Sequence, residues 1–286
     1  MTGDNRFSQQ KYSQQPSREP RFAGTLNAVY ARWPFFAALY SGIVMALVII
    51  GVSAEKGWIG LVPLSLAIII VLVYFFLASL WSIHLQYDRD GFNTHHILFE
   101  MGQIQADDVF VCVDLGFRRR AISIAHRLTT GAAIVIDVYN PQLNPNRALT
   151  RYRSRMTLPP PDPRLVWRNG RSDMLPLPDK SVTAVFLCQV LSEYWQEGDR
   201  LQLLQEVRRV LSENGRLLLA EQMRTPTAWL LKGPGALALD PVEEWRDLLQ
   251  KAGFRIRTEK DLQGIIHCIR ADKPKYTEAQ QLTLNI

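Results

Sequence analysis

Two long apolar runs precede a region in which short apolar segments alternate with polar ones. Phe35 to Ala54 is a run of 20 residues without a charge, and Gly57 to Ile83 is a second run of 27. Only Glu55 and Lys56 separate them. About 20 apolar residues span the roughly 30 Å hydrocarbon core of a bilayer. The pattern therefore predicts a hairpin of two transmembrane helices over residues 35–83.

Two alternatives to a membrane hairpin fit the sequence less well. In the first, the leading run is a signal peptide with a small-residue cleavage site at Val52-Ser53-Ala54. A polar leader of 34 residues is long for that layout, and a longer apolar run follows at once. In the second, both runs are buried core helices. Trp33, Trp58 and Trp81 lie at the ends of the runs, where indole rings favour the headgroup layer, and this favours two spans.

Basic residues near the runs predict the orientation. Arg18, Arg21 and Arg32 precede the first run, whereas the connecting loop offers only Lys56 beside Glu55. The positive-inside rule then places both termini and the following domain in the cytoplasm of an integral membrane protein. The lipid bilayer is thus the first predicted partner.

Charge and composition add little else. The formal net charge is +6, and residues 1–34 carry five Lys/Arg and two Asp/Glu. We interpret residues 1–34 as a basic, disordered tail, 84–106 as a linker with a helix at Thr94–Met101, and 276–286 as a C-terminal tail. A basic balance beside anionic lipid needs no nucleic acid, and no nucleic-acid-binding motif is present.

Residues 107–275 alternate between strand-like and helix-like segments, which predicts an α/β domain with a doubly wound, mostly parallel sheet. Continuous apolar runs are typical of strands that are covered on both faces. The predicted parallel strands are Val109–Val113, Ala133–Ile136, Leu165–Trp167, a strand from Ser181 to Phe186, and Arg216–Ala220.

The candidate metal and thiol chemistry is sparse. Cys112, Cys188 and Cys268 lie far apart in predicted strands, which indicates buried thiols in a reducing compartment. His95 and His96 are adjacent on a predicted helix and so point in different directions, whereas helical ligand pairs need i, i+4 spacing. We therefore predict no metal site.

The ordered series of motifs resembles the class I S-adenosylmethionine-dependent methyltransferases, with a methyltransferase type 11-like domain. In that family an acid-x-Gly-x-Gly-x-Gly loop follows strand one, and here Asp114 and Gly116 match while Arg118 and Arg120 replace the later glycines. The segments Asp173 to Asp179 and Arg209 to Gly215 resemble the lead-in to strand four and the turn before strand five. The resemblance covers about residues 105–275 and implies a Rossmann-like, seven-stranded sheet.

The resemblance also implies S-adenosylmethionine as the cofactor and assigns residues to it. An acid after strand two would accept both ribose hydroxyls, a second acid would accept from the adenine amino group, and the loop after strand one would contact the methionine portion. It implies no catalytic residue, and Tyr194 is a weak candidate for lining the acceptor site. The implied cofactor-binding residues are Asp114, Leu115, Gly116, Asp137, Val138, Ser172, Asp173, Met174 and Gln189.

Each of these residues also has an ordinary explanation, because acids after strands often hold turns or cap helices. For Arg118, Arg119 and Arg120 the ordinary explanation is a solvated cluster. The sharper hypothesis is an anion site made by the arginines and the helix terminus that they precede.

Two segments near the end of the chain yield further expectations. Thr225 to Ala238, with Trp229, reads either as an apolar lid that admits a lipophilic acceptor or as a plain connection. Asp240 followed by Pro241 reads as a helix N-cap with a capping box.

The sequence thus favours a membrane-anchored methyltransferase that acts on a lipophilic or membrane-near small molecule. The alternative is a non-catalytic methyltransferase-like module that binds an anion, a lipid headgroup or a protein partner at the membrane. A nicotinamide dehydrogenase is disfavoured because Gly-x-Gly-x-x-Gly is absent after strand one. The acceptor, the protein partners and the oligomeric state are not given by the sequence.

Overall fold

A computed structural model describes residues 22–88, 94–105, 109–116, 118, 121–122, 131–155 and 162–274. Residues 1–21 and 276–286 of the predicted tails, Arg119, Arg120 and most of the segment after strand one lie outside these residues; Ala121 and Ile122 are described as helical. The rest of the predicted N-terminal tail is not disordered, because Ala23–Ala31 form a helix and a second helix begins at Trp33. The labelled helices are α1 Ala23–Ala31, α2 Trp33–Lys56, α3 Leu61–Tyr87, α4 Thr94–Met101, α5 Arg147–Arg155, α6 Glu197–Val210, α7 Pro226–Lys232 and α8 Val242–Lys251.

Seven strands form one mixed sheet in the order β3-β2-β1-β4-β5-β7-β6. β1 to β5 pair in parallel, and β7 runs antiparallel to both β5 and β6. This is the doubly wound, mostly parallel sheet that the sequence predicts. The strands are β1 Val109–Asp114, β2 Ala132–Asp137, β3 Leu165–Asn169, β4 Val182–Cys188, β5 Leu211–Glu221, β6 Arg255–Leu262 and β7 Ile266–Asp272.

Both faces of the sheet are covered, because side chains of a strand point alternately to opposite faces. In β1, Val111 and Val113 enter one core, which also holds Trp245 from α8. Phe110 and Cys112 enter the other core with Leu98 of α4. The three cysteines form no disulfide among the described residues and are buried on this second face, which confirms the prediction of buried thiols.

The two apolar runs form the paired helices α2 and α3. Gly57, with φ 74°, ends α2 in the left-handed conformation that glycine adopts without strain. In the most apolar windows of α2 and α3 only 11% and 6% of the residues are buried, unlike the core helices of a soluble protein. Length and composition are therefore those of candidate membrane spans.

The α3 helix continues beyond its apolar run into the α/β domain. Leu85 is buried in one core of the sheet, and Tyr87 packs on the other. Gln86 accepts a 2.7 Å hydrogen bond from Gln222, just after β5. The first part of the predicted linker is thus helical and attached to the domain, and the predicted helix Thr94–Met101 is confirmed.

The predicted capping box at Asp240 is wrong. Pro241 is the N-cap residue of α8, and no side chain caps that helix. The Asp240 carboxylate instead accepts from Arg200 of α6 in an ion pair. The ion pair with Arg200 thus uses the carboxylate that the local cap would have needed.

Candidate functional site

The predicted site residues meet at the carboxyl edge of the sheet. Asp114 ends β1, Asp137 ends β2 and Gln189 follows β4. The chain leaves β1 and β4 in opposite directions across the sheet, since β1 is followed along the chain by β2 on one side and β4 by β5 on the other. Ligands of open α/β sheets bind in the crevice at such a switch point.

Asp114 shapes the loop after β1. Its side chain is buried, and Oδ2 accepts from the backbone N–H groups of Gly116 and Arg118, each at 3.0 Å. Leu115, between Asp114 and Gly116 in the chain, is fully buried. The Asp114 carbonyl accepts from the backbone N–H of Val138 at 3.0 Å. Asp114 therefore fixes the loop and ties it to the end of β2.

The backbone at Arg118 has a conformation that glycine adopts more easily. Arg118 has φ 45°, and Gly116 has φ 88°. A side chain at positive φ costs about 1 to 2 kcal/mol. The loop thus keeps the path of a glycine-rich loop even where arginine replaces glycine. Of the arginine cluster, Arg118 alone lies in the described residues, so the anion-site hypothesis stays a prediction.

Asp137 is engaged by a residue that sequence reasoning missed. Arg153 of α5 donates from Nη1 to Asp137 Oδ1 at 3.0 Å and from Nη2 to Oδ2 at 2.8 Å. The Tyr139 backbone N–H also donates to Oδ1 at 3.1 Å, and the guanidinium lies 4.1 Å from the centroid of the Tyr139 ring. Both carboxylate oxygens implied for the ribose therefore have partners.

The same guanidinium lies directly in front of Gly116. Arg153 Nη1 donates to the carbonyl of Leu115, and a Cβ on Gly116 would clash with it. The helix that carries it is rich in arginine, with Arg147, Arg151 and Arg155 besides. This density of cations was the one signal in the sequence for a positive group at the sheet edge.

The third predicted group lies on the turn after β3. Asp173 pairs with Arg171, whose hydrogen bond lowers the pKa of the carboxyl group. Met174 is 71% exposed, and Ser172 is buried. This turn lies at the end of the strand next to β2, so its side chains flank Asp137 along the edge.

Gln189 lies on the other side of the switch point. It is 6% exposed, has φ 54° and donates from its backbone N–H to Ala220 O at 2.7 Å. Non-glycine residues at positive φ cluster at functional sites. Gln189 lines an open cavity of about 700 Å³, which we call the sheet-edge cavity.

The sheet-edge cavity lies between α1, α5, the loop after β4 and a segment that follows β5. That segment consists of α7 and a 3-10 turn at Gly233–Ala238, and we call it the α7 segment. Arg32 borders the cavity at the end of α1, and Lys232 borders it at the end of α7. Burial lowers the pKa of Lys232 to about 8.

Two aromatic residues form the inner wall of the cavity. Tyr194 is fully buried, and burial raises the pKa of its hydroxyl to about 12. It is therefore neutral near pH 7 and unsuited to act as a base. Trp245 is also buried, and its indole N–H has no hydrogen-bond partner among the described residues. Tyr194, a weak candidate on the sequence, thus borders the cavity.

Glu221, at the end of β5, supports the loop that forms the cavity floor. Its Oε1 accepts from the backbone N–H groups of Val190 and Leu191 at 2.9 and 2.8 Å. Complete burial raises the pKa of this carboxyl to about 7. Sequence reasoning missed Glu221, because a single acid at a strand end carries no motif.

The comparisons with known proteins concern the α/β domain. Residues 120–219 match the family model described as a methyltransferase domain. No curated protein matches the sequence significantly.

Several solved structures are similar to the chain. A putative methyltransferase of Haloferax volcanii, solved with the Trm112 methyltransferase activator, is 14% identical, with a TM-score of 0.50 over 68% of this chain and 95% of that one. An Aquifex aeolicus SAM-dependent methyltransferase is 18% identical, with a TM-score of 0.49 over 63% and 89%. Human N-acetylserotonin methyltransferase, solved with SAM, is 18% identical, with a TM-score of 0.48 over 71% and 55%.

The family match and the sheet define a class I methyltransferase domain. The protein is a SAM-dependent methyltransferase, and S-adenosylmethionine is its cofactor.

The residues of the β1–β3 edge fit this cofactor. Gly116 has no side chain, the loop keeps left-handed backbone at Arg118, and Asp137 presents two acceptor oxygens. Arg153 fills this space and takes one acceptor site on each Asp137 oxygen, so it competes with hydroxyl groups for that carboxylate. Methyl transfer needs little beyond alignment of the acceptor with the donor, and no catalytic base is identified.

Proposed function

We propose that the protein is a membrane-anchored methyltransferase that transfers a methyl group to a lipophilic or membrane-near small molecule. S-adenosylmethionine, when bound, supplies the activated methyl group. Asp137 and the loop from Asp114 to Gly116 orient the donor at the β1–β3 edge. The acceptor occupies the sheet-edge cavity on the other side of the switch point.

The observation that carries this proposal is the origin of the cavity walls. Both α1 and the α7 segment pack on the apolar hairpin. The Tyr74 hydroxyl of α3 donates to the carbonyl of Leu230 at 3.0 Å, and the Phe75 ring lies against Gly233. A cavity walled by elements that contact candidate spans is suited to a molecule that partitions into lipid.

The α1 helix links the hairpin to the α/β domain. Thr25 donates from its backbone N–H to Asp88, just past α3, at 2.9 Å. Arg151 of α5 donates to the carbonyl of Ala31 at 2.7 Å, and the guanidinium of Arg155 lies 3.4 Å from the centroid of the Tyr30 ring. These contacts support a fixed arrangement of hairpin, α1 and cavity.

We further propose that both termini and the α/β domain lie in the cytoplasm, as the positive-inside rule predicts. Single cysteines placed at Lys56 and Lys180, in a variant with Cys112, Cys188 and Cys268 replaced by alanine, test this orientation. In inverted membrane vesicles, a membrane-impermeant maleimide should label the Lys180 site and spare the Lys56 site. The opposite labelling pattern would reverse the orientation.

Activity is tested with the full-length protein in membranes. Incubation with methyl-labelled S-adenosylmethionine, followed by organic extraction, should move label into the lipid-soluble fraction. The control is Asp137→Ala, which should leave that fraction unlabelled. A folded protein that neither binds S-adenosylmethionine nor transfers label would instead support the non-catalytic alternative.

A further inference from the structure

Two cations face the sheet-edge cavity from different elements. Arg32 ends α1, and Lys232 ends α7. They are close enough for the charge of Arg32 to disfavour the charged form of Lys232. Two cations that share a cavity repel each other, and an anion between them would relieve that repulsion.

The acids that border the same cavity are already engaged. Asp240 pairs with Arg200, and Glu193 accepts from Asn146 Nδ2 at 2.8 Å. Lys232 donates to the amide oxygen of Gln222, a neutral acceptor. Within the described ranges, no carboxylate lies at ion-pair distance from Arg32 or Lys232. The charge of Glu193 favours the charged form of Lys232, but one carboxylate beyond ion-pair distance does not balance two cations, so an anionic ligand would complete the charge balance.

Part of the cavity wall and the outer face of the α7 segment are apolar, beside polar lining residues such as Asn146, Gln189 and Gln222. Ala28, Ala31 and Leu149 form part of that wall. The α7 segment that closes one side exposes large apolar side chains outward. These are Trp229 at 42%, Leu230 at 62% and Leu237 at 62% exposed.

The position of the α7 segment along α3 indicates how deep its exposed apolar residues lie in a bilayer. Its contacts are with Tyr74 and Phe75, nine and eight residues before Ile83, where the apolar run ends. At 1.5 Å per residue, that is about 12 to 14 Å along the helix. If α3 spans the bilayer, the exposed apolar residues of the α7 segment reach below the headgroup layer, and the cavity lies beside that layer.

We propose that the sheet-edge cavity binds an amphiphile whose anionic headgroup lies between Arg32 and Lys232 and whose apolar chain leads toward the α7 segment. This inference rests on the proposed function and specifies the acceptor class as an acidic amphiphile. Charge-assisted hydrogen bonds from a guanidinium and an ammonium suit a carboxylate or a phosphate equally.

The test titrates full-length protein in a neutral detergent with octanoate, octyl phosphate and octanol, and measures binding by calorimetry. We expect at least one anion to bind about tenfold tighter than octanol, as two charge-assisted contacts provide. The two anions distinguish a carboxylate from a phosphate headgroup. Equal affinity for all three probes would overturn the proposal.

Substitutions at the two cations test whether Arg32 and Lys232 cause the preference for an anion over octanol. Lys232→Met and Arg32→Met should each reduce it to about threefold or less, whereas Lys232→Arg should retain it. Lys180→Met is the matched control, since Lys180 is exposed and pairs with Glu213. Circular dichroism verifies that each variant is folded. A preference that persists in both methionine variants would also contradict the proposal.

S-adenosylmethionine is titrated into the same samples. An anion preference without cofactor binding would retain the anion site and overturn the proposed function. Cofactor binding with equal affinity for the three probes would retain methyl transfer and overturn the acidic amphiphile.

Discussion

The two sides of the switch point differ in what occupies them. At the β1–β3 edge, Arg153 of the protein itself fills the space in front of Gly116 and binds both oxygens of Asp137. From the loop after β4, a cavity of about 700 Å³ extends between α1, α5 and the α7 segment. The comparison shows two ways to hold a loop at the sheet edge: an ion pair between side chains at one end, and a buried carboxylate that accepts from the loop backbone at the other.

The largest expected effect concerns Glu221, which supports the open side. Its folded-state pKa of about 7 exceeds the ordinary value of 4.5. Between these values the folded protein binds more protons than the unfolded one, so the free energy of unfolding falls as pH rises through this window. The fall is on the order of 3 kcal/mol, with the full contribution present below pH 4.5 and lost above pH 7.

Glu221→Gln should remove this slope, because glutamine can still accept from Val190 and Leu191 but does not titrate. Thermal unfolding at pH 5 and pH 8 measures it. Glu213→Gln, at an exposed acid, serves as the control. Identical pH slopes for the parent protein and Glu221→Gln would contradict the assignment.

The next largest effect concerns Asp137 at the β1–β3 edge. Asp137→Ala should weaken S-adenosylmethionine binding about 100-fold, because two hydrogen bonds to a charged acceptor are lost. Calorimetric titration measures the affinity. The substitution is made in the Arg153→Met background, so that no arginine is left unpaired. Asp179→Ala is the control, and an unchanged affinity in the Asp137 variant would remove Asp137 from the cofactor site.

A smaller effect would distinguish the two sides most directly. Arg153→Met should tighten S-adenosylmethionine binding about tenfold, since a competing ion pair no longer holds Asp137. Arg147→Met, on the exposed first turn of α5, should leave the affinity unchanged. Weaker binding by Arg153→Met would instead show that Arg153 contacts the bound cofactor. The β1–β3 edge would then already have its binding conformation in this structure.

The smallest effect concerns the backbone of the loop at Arg118. Arg118→Gly should raise the free energy of unfolding by about 0.5 kcal/mol, the strain relieved at positive φ less the added entropy of glycine. Arg118→Ala keeps the strain and should give no gain. The melting temperatures of the two variants measure this difference in stability. Equal values would show that the loop is unstrained at Arg118.

The strands and the edge were predictable from the sequence because their signals are local. Continuous apolar runs mark strands covered on both faces, and the carboxyl ends of parallel strands meet at one edge. This placed Asp114, Asp137 and Gln189 together. Arg153 was not predictable, because no local pattern says which of several arginines on α5 reaches Asp137.

The cavity cations were beyond sequence reasoning for another reason. Arg32 and Lys232 are 200 positions apart and meet only because α1 and the α7 segment both pack around α3. Asp240 shows the converse, where a strong local motif was overridden by an ion pair with Arg200. Local chemistry predicts well until a charged partner from another element competes for the same atoms.

The continuity of α3 has a mechanical consequence. The helix runs from the apolar hairpin to Leu85 and Tyr87 inside the two cores without a break. In the proposed membrane setting the α/β domain is therefore held by a continuous helix and does not reorient freely, as it would on a flexible linker. Its cavity mouth stays beside the headgroup layer at a fixed tilt, so the search for an acceptor becomes diffusion in the plane of the membrane.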